Sequence, residues 1–385
     1  MNKTIYLDNG ATTKVDPEVV KAMNLYHEKS YGNASSTHHK GQEAKRALEE
    51  SRKTIAKSIG AKDNEIFFTS GGTESNNWAI KELFFANPDK SHIITTKIDH
   101  DCVLNTCKML EKLGARVTYM PVDKKGLVSP VFLEKLIKKD TLLVSIIHGN
   151  NEIGTIQDLE EIYKVCKKHN VLLHTDACQS YTKTPLSTKH ADLITLNAHK
   201  IHGPKGVGVL YIKEGIKIYP FINGGGQERN LRSGTENIPG IVGFAKAVKI
   251  ANPKHIKQMT QLRDYFIEEL LKIPDTRLNG PRKNRLCNNI NISFKFVEGE
   301  AVGSFLDAKG ICTSTGSACS SHTLEPSHVI MALEKNPERA HGSLRFTISK
   351  YTTKEELDFA IKEITKTIEK LRKISPLTKL AKKVL

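Results

Sequence analysis

Asn197-Ala198-His199-Lys200-Ile201-His202-Gly203-Pro204-Lys205-Gly206 places a lysine directly after a histidine, at the mouth of a Gly/Pro-rich turn. The apolar run before it, Asp192-Leu193-Ile194-Thr195-Leu196, reads as a short buried strand. Lys200 therefore sits where a strand ends. Ligands of open α/β sheets gather at the carboxyl ends of strands. A lysine there can act as a nucleophilic amine toward a carbonyl carbon. The pattern is weak alone, because most lysines are solvated surface charges.

Working outward, short apolar runs alternate with helical patterns. Glu43 to Ile59 has helical spacing and is stopped by Gly60. Strands are expected at 65–69, 92–96, 117–120, 142–147 and 171–175, with helices opening at Ser70, from Asp101 to Leu113 and from Leu159 to His169. This order predicts an α/β fold with a large, mainly parallel sheet covered by helices on both faces. A helical segment near Ile241 to Ile250 is expected to link to a second part, where the runs 289–294 and 343–348 alternate apolar and polar residues, as half-buried antiparallel strands do, and Thr353 to Ile374 reads as a closing helix. The expected division is a large part over residues 13–250 and a smaller α+β part from residues 1–12 and 251–385.

Several of the strand ends carry chemistry. Ser70-Gly71-Gly72-Thr73 joins a strand to a helix start, which suits either a phosphate cradle or a capped tight turn. It lacks the Gly-Lys-Ser/Thr ending of a nucleoside-triphosphate loop. Asp176 follows the strand at 171–175, where a carboxylate can keep a pyridine nitrogen protonated or simply cap a helix. Gln179 lies three residues on. Asn150-Asn151 offers amides after the strand at 142–147, and His100 offers a flat, titratable ring after the strand at 92–96. Together with Lys200 these groups suit a planar, phosphorylated aldehyde such as pyridoxal phosphate (PLP). Arg345 can hold a carboxylate in bidentate fashion or form a surface ion pair.

Cys319 lies in Ser314-Thr315-Gly316-Ser317-Ala318-Cys319-Ser320-Ser321-His322-Thr323, where nothing can anchor a core, so a mobile loop over about residues 313–325 is expected. Free cysteine is normally buried, so an exposed thiol reads as a nucleophile or an incidental loop residue. The other cysteines (102, 107, 166, 178, 287 and 312) form no CxxC pair, which excludes a disulfide framework and the usual zinc spacings. Cys107, Cys166 and Cys178 are expected to be small packed residues. The +16 charge is spread along the chain without a nucleic-acid-binding motif, so a solvated basic surface is expected over a nucleic-acid interface. The 385 residues contain no apolar run long enough to span a bilayer, and Met1 to Asp8 has no secretory h-region. A cytoplasmic protein that does not bind membranes is expected.

With these residues in view, the chain resembles the cysteine desulfurases of the NifS/IscS type, PLP enzymes of the fold type I aminotransferase superfamily. The likeness rests on Phe68-Thr69-Ser70-Gly71-Gly72-Thr73-Glu74-Ser75, Asn150-Asn151-Glu152-Ile153-Gly154, His174-Thr175-Asp176-Ala177-Cys178-Gln179, His199-Lys200 with Gly203-Pro204-Lys205-Gly206, Arg232-Ser233-Gly234-Thr235 and Gly316-Ser317-Ala318-Cys319. It runs from Tyr6 to the helix start at Thr353, and Leu324-Glu325-Pro326-Ser327 resembles the long-loop group.

The resemblance implies that Lys200 binds PLP covalently and later moves the Cα proton. Asp176 would pair the pyridinium, Gln179 the phenolic oxygen, and His100 would stack on the ring and assist proton transfer. Asn151 and Arg345 would place the substrate carboxylate. Gly72, Thr73 and His199 would hold the phosphate, with Thr235 supplied by the second subunit of a homodimer. Asn197 stands where the family usually has serine, and its amide can still donate to phosphate. Cys319 would take sulfur from L-cysteine, leaving alanine and a persulfide for a sulfur acceptor such as an iron–sulfur scaffold or a tRNA-thiolation protein. No resident metal is implied, although Cys319 and a scaffold could share a transient iron–sulfur cluster. The competing readings are a selenocysteine lyase or other PLP-dependent lyase, and a non-catalytic sulfur carrier or tRNA-binding partner. Cys319 argues against the first, and intact Lys200, Asp176, His100 and Cys319 argue against the second.

Overall fold

The computed structural model describes residues 4–315 and 326–375. In chain order, β1 (Ile5–Tyr6) leads to α1 (Pro17–Glu28) and α2 (His39–Ile59). Alternation then begins: β2 (Ile66–Thr69), α3 (Gly72–Ala86), β3 (His92–Thr96), α4 (Asp101–Glu111), β4 (Arg116–Met120), α5 (Pro130–Leu136), β5 (Thr141–Ile147), α6 (Leu159–Lys168), β6 (Leu172–Asp176), β7 (Leu193–Asn197) and β8 (Gly208–Ile212). Next come α7 (Ile238–Lys249), α8 (Pro253–Leu271), β9 (Thr276–Leu278), β10 (Asn289–Phe294), α9 (Gly299–Asp307), β11 (Ile311–Cys312), α10 (His328–Glu334), α11 (Pro337–His341), β12 (Ser343–Thr347) and α12 (Lys354–Ile374).

The central sheet has seven strands in the order β2-β8-β7-β6-β5-β3-β4. Every pair is parallel except those of β8, which runs antiparallel to both β2 and β7. Two antiparallel steps restore direction, so β2 points the same way as β7. The carboxyl ends of β2, β3, β5, β6 and β7 therefore share one edge. Apolar strands with both faces covered explain the near-continuous hydrophobic runs. Ile66, Phe68, Ile194, Leu196 and Val209 pack into one core with Leu48, Ile55 and Phe244. Their neighbours Phe67, Leu193, Leu210 and Ile212 face Trp78, Ile80 and Leu110 on the other side. Local signals set the helix ends. Gly60 takes the left-handed conformation (φ 74°) that closes α2, and Thr353 caps α12 with Glu356 in a capping box.

α7 is not the link to the second part. It packs with α1 and α2 in the first core, through Ile238, Ile241 and Phe244. A three-residue turn, 250–252, separates it from α8. The second core gathers Phe266, Ile290, Ile292, Phe294, Leu344, Phe346 and Ile364, and it includes Ile5 and Leu7 from the N-terminus, where β1 pairs with β11. β10 and β12 are antiparallel partners, but both are buried along their whole length rather than half-buried. Their apolar face meets α8 and α12. Part of their polar face meets the first part: Asn289 Nδ2 donates to the carbonyls of Asn151 and Glu152, at 3.2 and 3.1 Å, and Asn291 Nδ2 donates to that of Glu152 at 3.1 Å. The alternation that looks like exposure marks a hydrogen-bonded seam.

Beneath the edge, Arg52 of α2 is buried and forms two 2.8 Å bonds to Glu228, and it donates to the Ile66 carbonyl at 2.7 Å. Glu228 in turn accepts from the Phe68 N–H at 2.8 Å. Removing one partner strands the other as an uncompensated buried charge. Arg52→Met is expected to destabilise the fold by about 3–5 kcal/mol, read as a lowered urea midpoint. A midpoint within error of the parent's would show that Glu228 finds water or a new partner.

Candidate active site

The shared edge opens into a cleft of about 280 Å³ lined by Gly10, Ala11, Gly72, Thr73, Asn76, His100, Cys102, Asn151, Asp176, Cys178, Gln179, Asn197, His199, Lys200 and Arg345. Ten of the twelve residues expected from the sequence are among them. Thr235 is exposed and does not line this cleft, and Cys319 lies outside the described residues.

The cradle after β2 depends on close backbone packing. Gly208 of β8 pairs with Thr69 and with Asn197. A Cβ at Gly208 would lie 2.7 Å from the Gly71 Cα, so only glycine lets the turn sit this close to the end of β7. Gly72 has a similar constraint, since a Cβ there would meet the Cys178 sulfur at 2.5 Å. Cys178 is thus a small packed residue, as are Cys107 and Cys166. Gly72 and Thr73, the first residues of α3, line the cleft together with Asn197, and a helix N-terminus leaves backbone N–H groups unpaired within the helix. His199 Nδ1 lies 3.2 Å from the Thr12 hydroxyl. Burial, with Lys200 and Lys205 nearby, takes its ring down to about 4, so it is neutral at pH 7.

Asp176 is the last residue of β6. One carboxylate oxygen accepts from the Cys178 N–H at 2.9 Å and the other from Asn76 Nδ2 at 2.7 Å. Burial raises its pKa, but the Cys178 N–H, His100, Lys200 and Asn76 outweigh this and hold it below the ordinary carboxylate range. The cleft floor therefore carries a fixed negative charge. His100 caps α4, its Nδ1 accepting from the Cys102 N–H at 3.2 Å, and burial followed by Lys200 lowers its pKa. Gln179 Nε2 donates to the Gly10 carbonyl at 2.8 Å, which ties the N-terminal segment to the cleft.

Arg345 reaches the cleft from β12, opposite Asn291, on the polar face. It is buried, and it is not a surface ion pair: Nη2 donates to Asp8 at 3.0 Å and Nη1 to the Asn151 carbonyl at 3.2 Å. Its Nε has no partner. Nor do Asn76 Oδ1, Asn151 Oδ1 and Asn197 Oδ1, all buried. Buried polar atoms are rarely left unpaired in native proteins. Four such atoms on residues that line one cleft, beside a fixed carboxylate, a helix N-terminus and a lysine, fit a site built for a bound polar group.

Sequence reading missed Asp8, Asn76 and Cys102. Asn76 lies four residues beyond Gly72, on the same face of α3, and that helical spacing was its available signal. Cys102 Sγ sits 3.1 Å from both His100 Nδ1 and Asn76 Nδ2. Burial and Asp176 push this thiol up to about 12, and burial raises Cys178 as well. Neither cleft thiol is an activated nucleophile. Among the described residues no group of acidic, His or Cys side chains could hold a metal ion, and no helix is long and apolar enough to cross a membrane.

The Aminotransferase class-V family model matches residues 5–359, most of the chain. The chain belongs to the class-V aminotransferase family. Among its class-V relatives, "Cysteine desulfurase IscS" of Dictyoglomus turgidum is 52% identical over 383 residues, covering 98% of this chain and 97% of that one. A solved structure named "NifS-like protein" superposes with a TM-score of 0.90 at 40% identity, covering 95% of this chain and all of the other. A second, "SspA in complex with cysteine", gives 0.82 at 35% identity over 91% of this chain and all of that one. This class-V chain thus shares its architecture with them over nearly its full length.

Proposed function

We propose that this chain is a PLP-dependent cysteine desulfurase that converts L-cysteine to L-alanine and passes the sulfur to its own Cys319. The observation that carries the reading is the convergence of Lys200, Asp176, Asn76 and Arg345 on one cleft ringed by unpartnered buried polar atoms. The relatives named as cysteine desulfurases, and the neighbour solved with cysteine, support the same substrate.

When bound, PLP supplies the electron sink that makes the Cα proton of an amino acid removable. The chain's own residues do the rest. Asp176, ionised and held by Asn76 and the Cys178 N–H, would pair with the pyridine nitrogen and favour its protonated form. Gly72, Thr73, Asn197 and His199 would hold the phosphate. His100 would lie against the ring, and Gln179 would hydrogen-bond its phenolic oxygen. Arg345 and Asn151 hold the substrate carboxylate, with Asp8 fixing the guanidinium. The Lys200 amine anchors the cofactor and moves the proton at the substrate Cα. The Cys319 thiolate attacks the substrate sulfur as the Cβ–S bond breaks. Cβ gains a proton, so cysteine plus the thiol become alanine plus the persulfide. Thr235, exposed and away from its own cleft, is suited to complete the phosphate site of a second copy in a homodimer. The persulfide then serves an acceptor such as an iron–sulfur scaffold or a tRNA-thiolation protein.

The test is alanine formation from L-cysteine by the purified chain with added PLP and a thiol reductant, run beside L-selenocysteine. Alanine and sulfide from cysteine at an enzymatic rate are expected. Turnover of selenocysteine alone would overturn the assignment in favour of a lyase.

A further inference from the structure

Residues 316–325, with Cys319 among them, lie outside the described residues, but the chain on either side is tied to the walls of the cleft. Upstream, the Ser314 N–H donates to the Arg345 carbonyl at 3.2 Å, and the Arg345 N–H returns a bond to the Ser314 carbonyl at 2.7 Å. Downstream, Ser327 Oγ donates to Glu152 Oε2 at 2.5 Å, and both residues are buried. Glu152 follows the cleft residue Asn151, and its own carbonyl is held by the Asn289 and Asn291 amides. His328 Nε2 donates to the Asp99 carbonyl at 3.1 Å, next to His100.

The contacts on the downstream side divide into two kinds. Val329 and Ile330 pack α10 against Ile98 and Ile153, and this apolar contact holds the helix. The Glu152–Ser327 bond instead fixes the point where the chain enters it. Capping does not need the carboxylate. Ser327 Oγ accepts from the Ile330 N–H at 3.2 Å whatever its own proton does. A buried carboxylate is costly, and an apolar side chain of similar length fills the same space.

We propose that Glu152 is a positioning residue for sulfur transfer, which through Ser327 fixes the downstream end of the segment carrying Cys319 against the turn carrying Asn151. This rests on the Cys319 reading above. Cys319 is five residues from Ser314 and eight from Ser327. Five extended residues span at most about 18 Å, and eight about 29 Å. One fixed end leaves the thiol a sphere around Ser314. A second confines it to the overlap of two spheres, which raises its effective concentration at the substrate sulfur. Arg345 at one end and Asn151 beside the other are the groups assigned to the substrate carboxylate. The frame that holds cysteine therefore also holds the ends of the segment that takes its sulfur.

The experiment follows persulfide on Cys319, by alkylation and mass, in single turnovers of the PLP-loaded protein over a range of L-cysteine concentrations. The variants are Glu152→Met, Glu152→Gln, Ser327→Ala and the Glu152→Met/Ser327→Ala double. A misplacement of roughly 1 Å can cost about 10²-fold in rate. Loss of one of two anchors is expected to lower the maximal rate about tenfold in Glu152→Met and in Ser327→Ala, with the half-saturating cysteine concentration unchanged. Glu152→Gln keeps an acceptor for Ser327 and should stay near the parent. The double variant should be no slower than the slower single, because the pair acts as a unit. Without PLP, hydrogen exchange in the first turn of α10 should quicken in Glu152→Met and not in Glu152→Gln. A Met variant at the parent rate, a Gln variant as slow as Met, a double variant slowed by the product of the singles, unchanged exchange, or a loss confined to half-saturation each overturns the proposal. Should Glu152→Met fail to fold, Ser327→Ala against Ser327→Thr, which keeps the hydroxyl, is held to the same difference. A parent that forms no persulfide on Cys319 would instead overturn the Cys319 reading, so the two failures are distinguishable.

Discussion

Lys200→Ala is expected to abolish turnover of cysteine and the covalent retention of PLP. A positioned proton-transfer group contributes about 10²–10⁴-fold to rate, and the loss of the cofactor's covalent anchor adds to that. The geometry leaves no replacement. Lys183 is tied to the Gln179 and Lys200 carbonyls and does not line the cleft. Lys205 is exposed and absent from the cleft lining. The check is alanine formation together with absorbance after gel filtration of the PLP-treated variant. Normal alanine formation by Lys200→Ala would remove the lysine from the mechanism. Phosphate binding need not vanish, because the α3 N-terminus and Asn197 are untouched, so non-covalent PLP uptake at high concentration is compatible with the result.

Cys319→Ser is expected to keep PLP and bind cysteine while forming no persulfide and no sulfide. A serine hydroxyl is far less nucleophilic toward sulfur than a thiolate. The two thiols in the cleft cannot take over readily. With Cys102 at about 12, the thiolate fraction at pH 7 is on the order of 10⁻⁵. Trapping protein-bound sulfur with an alkylating reagent after mixing with cysteine gives the readout. Alanine and sulfide at the parent rate would sink the persulfide step, and Cys102, 3.1 Å from His100 Nδ1, would then be the thiol to remove.

The parallel α/β core was legible because its strands are buried on both faces and its helices carry strong end signals such as Gly60. The site was legible where chemistry-bearing residues sit at strand ends, as Lys200, Asp176 and Gly72 do. β8 was missed because it is a short run just past a Gly/Pro turn, and its direction depends on pairing with β2, more than a hundred residues earlier. Polarity in β10 and β12 was read as exposure because one chain cannot reveal that a polar face is paired with the Asn151-Glu152 backbone. Asp8 was invisible for a related reason: its partner Arg345 lies 337 residues away. Cys319 was singled out by its loop's composition, and its role stands or falls with the substitution above.

The N-terminal wall of the cleft has a consequence for how the protein is made. The Asn9 amide donates to the Thr347 carbonyl, 338 residues further on, and the Gly10 N–H donates to the Thr347 hydroxyl at 2.6 Å. On the ribosome, Asn9 and Gly10 emerge well before the partner that will hold them, which is translated 338 residues after Asn9. Lys200 and Asp176 can be in place on the nascent sheet while the wall opposite them is still missing. A complete cleft, with Arg345 seated on Asp8, therefore forms only once the chain has been made through Thr347.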